Sequence, residues 1–384
     1  QDRSGKISPG FNGTSDRMSD TDLRIGILQR VLPAYRNIFF DTLAKEPGIH
    51  VSVFAGEPRE QENLGQAIPL LKAHHYKAEN LHIFSNRFYL CIQKNYLSWL
   101  KQFDPEVLII EANPRYLHLP SMIRWMKKRR RPVIGWGLGS PSSNFISKVI
   151  KHLWLMQFDA LLAYSEQGRQ EFIQMGFPPE KVFTAPNAVT LRPEQPPVKQ
   201  PEINMGKAVK VLFVGRLQAR KNIDLLIRAC AALPESIQPL LEIIGEGPER
   251  ENLEKLAHEI YPHTTFHGAK YSEELDFFFH SADLFVLPGT GGLAIQQAMT
   301  HALPVIVAEA DGTQRDLVRE GNGWLVSKGE FTALRDTLQI ALSDPSHLRE
   351  MGLESYRIVH DEINVEVMVS QFMKAIHFVL GEKE

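Results

Sequence analysis

The feature that most constrains the fold is a regular alternation of short apolar runs with longer amphipathic segments, which begins at Leu23. Most of the runs are continuous, as in parallel strands that are covered on both faces. Such alternation predicts an α/β fold with doubly wound parallel sheets of the Rossmann type. The expected strands are Leu23–Leu28, Val51–Phe54, Val107–Ile110, Pro132–Trp136, Ala160–Ala163 and Val182–Thr184, then Val211–Val214, Leu241–Ile244, Thr265–His267, Leu284–Leu287 and Pro304–Val307.

Five prolines between Pro186 and Gly206 interrupt this alternation. A proline density of this kind is typical of a semi-rigid linker at a domain boundary. We therefore predict one Rossmann-like domain in residues 18–195 and a second in residues 205–364, with a final helix at residues 365–380 that packs back on the first. Ligands of such sheets bind beyond the carboxyl ends of the strands, so the cleft between the domains is the expected site.

Composition excludes several classes of protein. The 43 Lys and Arg residues nearly balance the 45 Asp and Glu residues, which argues against a nucleic-acid-binding protein. Cys91 and Cys230 lack the spacing of a metal or disulfide site, so a cytoplasmic location is expected. Residues 1–17 are polar and lack the apolar segment of a signal peptide, and we expect them to be a leader outside the fold.

The first candidate site motif is a glycine turn with two cations. Gly215 ends an expected strand, Arg216 follows it, and Lys221 begins an expected helix. Two cations beside a helix N-terminus suit the pyrophosphate of a bound nucleotide. Taken alone, the motif is equally well explained as a solvated basic turn.

Two further glycine turns follow later strands. Gly245 and Glu246 lie in a turn that leads into a helix opened by Pro248. The third turn lacks the spacing of a dinucleotide or Walker motif, but its free backbone N–H groups suit an anion. Gln297 follows one helical turn later. The residues of this third turn are Gly289, Thr290, Gly291, Gly292 and Leu293.

In order and spacing, the three turns resemble the retaining glycosyltransferases of family 4, which have the GT-B fold. The resemblance covers residues 209–327 and extends more loosely to residues 160–190. The matching stretches are Val214-Gly215-Arg216-Leu217 with Lys221, Gly245-Glu246-Gly247-Pro248, Phe266-His267-Gly268, Ala282-Asp283-Leu284-Phe285-Val286-Leu287-Pro288, Gly292-Leu293, Ala298-Met299, Leu303-Pro304-Val305-Ile306 and Gly321-Asn322-Gly323-Trp324-Leu325-Val326.

This resemblance implies an enzyme that uses a nucleotide-diphosphate sugar as donor, without a cofactor or metal ion. Arg216 and Lys221 would bind the donor diphosphate and stabilise its charge as the sugar leaves. Backbone groups in the stretch from His267 through Gly268 and Ala269 to Lys270 would line the nucleobase pocket. The other implied donor contacts are Gly215, Gly245, Glu246, Gly289, Thr290, Gly291, Gly292, Leu293 and Gln297.

The chain departs from the family pattern at two positions. Gly289 and Gln297 stand where the family usually has two glutamates separated by seven residues. The shortened Pro-Gly-x-Gly-Gly-Leu turn is similar to that of a subgroup active on bacterial surface glycans. We therefore expect a hexosyl- or related transferase of polysaccharide or glycoconjugate synthesis. The alternatives are a donor-binding partner subunit without catalytic activity, and a nucleotide-sugar epimerase.

The first domain would bind the acceptor, a glycan or a lipid-linked molecule. Tyr35 and Arg36 follow the first expected strand, and Trp136 and Gly137 end another. These four residues are expected to face the cleft, although a surface arginine explains Arg36 equally well. Leu138 stands where many relatives have a histidine, so no catalytic base is predicted.

A run of five basic residues closes a helix of the first domain. Cations at this position stabilise the helix dipole, and this is one sufficient explanation. The other is peripheral contact with anionic lipid at the inner membrane face. The run consists of Lys127, Lys128, Arg129, Arg130 and Arg131.

Overall fold

The computed structural model describes residues 22–59, 69–84, 89–139, 145–195, 197 and 208–382, without the side chains of residues 145–147. Within these ranges the chain forms two sheets, one of eight strands and one of six. The prediction of two Rossmann-like α/β domains is confirmed. Residues 1–17, predicted to be a leader, lie outside the described ranges.

The first sheet has the strand order β4-β3-β2-β1-β5-β6-β7-β8. Its strands are parallel except for the antiparallel pair of β3 and β4. The strands are β1 Leu23–Val31, β2 Ile49–Gly56, β3 His74–Ile83, β4 Leu90–Lys94, β5 Val107–Glu111, β6 Val133–Gly137, β7 Ala160–Ala163 and β8 Val182–Thr184.

The second sheet is parallel throughout, in the order β11-β10-β9-β12-β13-β14. Its central strand β9 is flanked by β10 and β12, and a glycine turn follows each of these three strands. The strands are β9 Lys210–Val214, β10 Leu240–Ile244, β11 Thr264–Phe266, β12 Leu284–Leu287, β13 Val305–Ala308 and β14 Gly323–Val326.

Three of these strands, β3, β4 and β14, were not predicted from the sequence. β3 is mostly half-exposed and contains histidine, lysine and glutamate, so it has no continuous apolar run. Its position is determined by parallel pairing with β2 and antiparallel pairing with β4. Pairing with strands elsewhere in the sequence leaves no local apolar pattern in β3, so the sequence did not predict this strand.

The helices cover both faces of each sheet, as the alternation predicts. Two α-helices begin later than predicted. Arg36 and Lys221, the predicted first residues, each end a short 3₁₀ turn that precedes the α-helix. The helices are α1 Asn37–Leu43, α2 Tyr96–Phe103, α3 Leu119–Lys127, α4 Phe145–Leu155, α5 Glu166–Gln174, α6 Ile223–Ala231, α7 Arg250–Ile260, α8 Ser272–Ser281, α9 Leu293–Thr300, α10 Gln314–Leu317, α11 Phe331–Ser343, α12 Pro345–Asp361 and α13 Val365–Leu380.

The last helix, α13, follows the second domain in sequence but packs on the first sheet. Its Phe372 ring lies 4.7 Å from the ring of Phe39 and 4.9 Å from that of Trp136. Together, α12 and α13 are long and apolar enough by composition to cross a membrane. The chain bends between them at Asn364, which caps α13, and the apolar side of α13 is buried in the first domain. This is the pattern of a core helix.

Candidate functional site

The three glycine turns meet at the carboxyl ends of β9, β10 and β12. The first two turns line an open cavity of about 550 Å³, a volume typical of small-molecule sites, and from the third motif Gln297 lines it. The structure therefore brings together parts of all three predicted motifs. The lining residues are Val214, Gly215, Arg216, Ile244, Gly245, Glu246, Gly247, Ala269, Lys270, Tyr271, Leu275 and Gln297.

The first two turns pack backbone against backbone. Gly245 has a φ of 145°, and a Cβ there would lie 1.9 Å from the carbonyl oxygen of Gly215. Leu217 N–H also donates a 2.9 Å hydrogen bond to the carbonyl of Glu246. Any side chain at Gly245 would separate the two turns, so glycine here fixes the floor of the cavity.

Lys221 lies beneath the third turn. A Cβ at Gly291 would lie 2.4 Å from Lys221 Nζ, so the ammonium group rests directly against the backbone of that glycine. The side chain is buried, with 9% of its surface exposed. Burial and the neighbouring Arg220 lower the pKa of Lys221 to about 8. The group is therefore largely charged at neutral pH despite its partial desolvation.

No anionic partner neutralises Lys221 within the part of the chain that the structure describes, because none of the ion pairs there includes it. Arg216 lines the cavity with an exposed side chain. One cation is thus fixed beneath the third turn and a second stands in the cavity wall. A buried ammonium without a counter-ion is unfavourable, and a bound anion would offset that cost.

Arg220, which the sequence reasoning missed, connects the first motif to the third. Its guanidinium donates a 3.0 Å hydrogen bond to Thr290 Oγ1, and its carbonyl accepts a 3.1 Å bond from Thr290 N–H. Thr290 is therefore occupied in holding the two turns together. The only sequence signal for this role is that Arg220 immediately precedes Lys221.

Gly289 has no room for a side chain. A Cβ at this position would lie 2.4 Å from the carbonyl oxygen of Arg220 and 2.5 Å from backbone atoms of Lys221. The family's first glutamate therefore cannot be accommodated with this backbone. Gly292 caps α9 without a side-chain hydrogen bond, and Leu293 begins that helix with its side chain partly exposed.

The segment after β11 contributes Ala269 and Lys270 to the cavity wall. His267 N–H donates to the carbonyl of Ile243, and Gly245 N–H donates to the carbonyl of Gly268. The imidazole of His267 pairs with Glu242. These bonds continue the sheet, so His267 and Gly268 do not appear in the cavity wall, whereas Ala269 does.

Two adjacent glutamines on α9 have different environments. Gln297 is exposed and lines the cavity. Gln296 is buried, accepts a 2.9 Å hydrogen bond from Val189 N–H and donates a 2.6 Å bond to the carbonyl of Asn187. Gln296 thus ties α9 to the segment that follows the first sheet. No sequence pattern distinguished its role from that of Gln297.

Arg36 does not face the cleft, which corrects the prediction. It is 3% exposed and donates a hydrogen bond to Asn187 Oδ1. Its guanidinium lies 5.0 Å from the ring centroid of Trp136, and 5.3 Å from those of Tyr35 and Tyr164. Aromatic faces on several sides stabilise the buried cation and prevent it from reaching a ligand in the open cleft.

Trp136 is also fully buried, so the prediction that it is a cleft residue requires correction. Its ring is held between Arg36 and Phe372, while Gly137 beside it is half-buried. Both residues border a second cavity, of about 490 Å³, in the first domain. The other lining residues are Glu111, Ala112, Asn113, Pro114, Arg115, Leu138, Lys151, Trp154, Leu155, Tyr164, Phe172 and Met175.

Two titratable groups of the first domain are strongly affected by burial. Glu111 borders the second cavity and accepts a 2.8 Å hydrogen bond from Arg30 N–H, yet burial raises the pKa of its carboxyl. His118 is a core residue, and burial lowers its pKa to about 4. Among the described residues, no group of three or more histidines, cysteines or carboxylates is arranged to hold a metal ion.

Two of the five basic residues at the end of α3 contact other side chains of the domain. Arg131 forms two hydrogen bonds with the carboxylate of Asp104, at 2.6 and 3.0 Å. The guanidinium of Arg129 lies 3.7 Å from the ring centroid of Trp125. The remaining three residues, Lys127, Lys128 and Arg130, are exposed.

Comparison with known proteins finds similarity to a family within the second half of the chain. Residues 196–357 match the model of the family described as Glycosyl transferases group 1. A GDP-mannose-dependent alpha-mannosyltransferase of Corynebacterium glutamicum is 36% identical over 157 residues, which are 39% of this chain and 35% of that protein. The matches span 26%, 35% and 47% of the lengths of the first three curated relatives.

Solved structures extend the similarity to the whole fold. Sucrose-phosphate synthase of Thermosynechococcus elongatus has a TM-score of 0.67 at 19% identity, over 94% of this chain and 99% of that one. Anabaena HepE in complex with UDP-glucose has a TM-score of 0.63 at 17% identity, over 93% and 100%. The chain therefore has the two-domain GT-B fold, and its residues 196–357, called the group 1 domain below, match the Glycosyl transferases group 1 model.

Proposed function

We propose that this chain is a glycosyltransferase that moves a sugar from a nucleotide-diphosphate donor to a glycan or lipid-linked acceptor. The observation that carries the proposal is the buried ammonium of Lys221 beneath the glycine turn, without an anionic partner among the described residues. The group 1 domain supports the same reaction class, since it contains all three glycine turns.

The donor diphosphate would lie between Arg216 and Lys221. As the bond to the sugar breaks, negative charge grows on the departing phosphate, and a cation already in place stabilises it without reorganisation. This arrangement allows the reaction to proceed without a metal ion. Leu138 supplies no base at the end of β6, which is consistent with retaining chemistry in which the leaving phosphate itself acts as the base.

Contacts to the transferred sugar would differ from the usual family pattern. Because Gly289 cannot carry a side chain, backbone groups of the third turn and the amide of Gln297 would replace the two glutamates. An amide still donates and accepts hydrogen bonds, but adds no charge. We place the reaction in the cytoplasm, at the inner membrane face, in bacterial surface polysaccharide or glycoconjugate synthesis.

Guanosine and uridine diphosphate sugars are both candidate donors, since one relative is GDP-mannose-dependent and one similar structure holds UDP-glucose. The test is a thermal-shift screen of uridine, guanosine, adenosine and thymidine diphosphate sugars, with and without a chelator. We expect a rise in Tm with one nucleotide, unchanged by the chelator, lost in Lys221→Met and kept in Lys255→Met, which alters an exposed lysine of the same domain. A shift that survives in Lys221→Met would contradict the proposal.

The crowding at Gly289 also supports a second candidate, a donor-binding partner subunit without catalytic activity. Release of nucleotide from the donor by the isolated chain would exclude it. An epimerase would instead yield a rearranged sugar without any acceptor, so product analysis in the same assay separates all three functions.

A further inference from the structure

Helix α4 presents an apolar stripe outward from the first domain. Its exposed side chains include Val149, Ile150, Leu153 and, just beyond its end, Met156. At 100° per residue these positions share one side of the helix. Ile150 and Leu153 are 61% and 63% exposed, so the stripe has no cover within the described part of the chain.

The exposed basic residues at the end of α3 lie at the same edge of the sheet. α3 and α4 connect successive parallel strands, so both helices end at the edge where β6 and β7 begin. Hydrogen bonds of 2.8 and 2.9 Å between Val133 and Asp159 join the starts of these two strands. The apolar stripe of α4 therefore runs toward Lys127, Lys128 and Arg130.

We propose that this face of the first domain docks on an anionic lipid bilayer. The docking face consists of Val149, Ile150, Leu153 and Met156 together with Lys127, Lys128 and Arg130. The aliphatic side chains would enter the boundary between headgroups and acyl chains, and the cations would lie among lipid phosphates. This inference does not depend on the nucleotide-sugar reaction proposed above.

Charge favours a bilayer over a protein partner. No acidic residue occurs from Phe145 to Phe158 or from Leu119 to Arg131. The nearest carboxylate paired with the basic run, that of Asp104, is bound to Arg131, which is not part of the docking face. An apolar stripe next to cations that form no ion pair among the described residues is complementary to an anionic interface.

The second cavity lies on the inner side of α4, opposite the docking face. Lys151 and Trp154 of α4 line that cavity, while the stripe lies on the outer side of the same helix.

The experiment is co-sedimentation of the full chain with vesicles of phosphatidylcholine alone or mixed with phosphatidylglycerol. We expect binding to the anionic vesicles that weakens with salt. The double change Ile150→Gln and Leu153→Gln should lower the partition coefficient at least tenfold. Neutralising Lys127, Lys128 and Arg130 to Gln should lower it about fivefold per residue at low salt.

The control is Ile340→Gln with Leu353→Gln, which alters two residues of the second domain that are 64% and 58% exposed. This variant should bind vesicles like the unmodified chain. Circular dichroism and thermal unfolding without ligand check that each variant is folded. The proposal is overturned if the unmodified chain does not bind anionic vesicles, if the α4 variant binds equally well, or if the control loses binding to the same extent.

Discussion

Both domains place basic side chains in the segment after their first strand, but the two environments differ. Arg36 follows β1 and is enclosed by three aromatic rings and Asn187. Lys221 follows β9, touches the backbone of Gly291 and lies near Gly215, which lines the open cavity. The first cation is satisfied by the protein itself, whereas the second has no anionic partner among the described residues.

The difference shows that position after a strand does not by itself identify a ligand-binding cation. The two cations differ in whether neighbouring side chains of the protein stabilise the positive charge. Where it does, as for Arg36, we expect a structural role. Where it leaves a desolvated charge beside a cavity, as for Lys221, we expect a ligand to complete the site.

The largest expected effect is on catalysis by Lys221→Met. The substitution keeps the size of the side chain but removes the charge that would stabilise the leaving phosphate. By analogy with loss of a preorganised electrostatic group, kcat/KM should fall by about 10²–10³. The measurement is nucleotide release from the donor found in the screen. Lys255→Met should retain full activity, and an equal loss there would show that the effect is not specific to the cavity.

Next in size is the effect of Arg36→Met on stability. The change removes a charged hydrogen bond to Asn187 and the contacts with Trp136 and Tyr164. The free energy of unfolding should fall by about 2–3 kcal/mol, measured by urea denaturation. Donor affinity of the folded variant should change less than about threefold. A large loss of donor affinity with an unchanged free energy of unfolding would show that Arg36 binds ligand rather than stabilises the fold. Arg228→Met, an exposed change on α6, is the control.

A smaller effect is expected for Arg216→Ala. Its side chain is exposed, so water screens its interaction with a bound diphosphate more than for Lys221. We expect a loss of about tenfold in kcat/KM, with partial recovery in Arg216→Lys, which keeps a positive charge. A larger loss than in Lys221→Met would show that the exposed cation, rather than the buried one, dominates the site.

The smallest expected effect concerns stability and pH. Because the pKa of Lys221 is lowered to about 8 in the fold, charged Lys221 destabilises the empty protein at neutral pH. Lys221→Met should therefore raise the free energy of unfolding by roughly 1–2 kcal/mol at pH 7. As pH rises through 8, the unfolded chain holds more protons than the fold, and the difference should shrink. Urea denaturation across this range tests the sign, and a difference that grows with pH would contradict it.

The sequence predicted the second domain better than the first, for physical reasons. Continuous apolar runs such as that of β12 identify buried parallel strands, whereas the polar β3 depends on its partners. The glycine turns are local motifs, so their meeting at one sheet edge followed from the strand order. Burial of Arg36 depends on Trp136, Tyr164 and Asn187, which come from separate segments, and no local pattern indicated it.

The most direct test of the central claim compares nucleoside diphosphates with the corresponding monophosphates by titration calorimetry, in the unmodified chain and in Lys221→Met. If Lys221 binds the diphosphate, the unmodified chain should prefer the diphosphate by at least about tenfold, and the variant should lose most of that preference. An undiminished preference in Lys221→Met would show that the buried ammonium is not the phosphate-binding group.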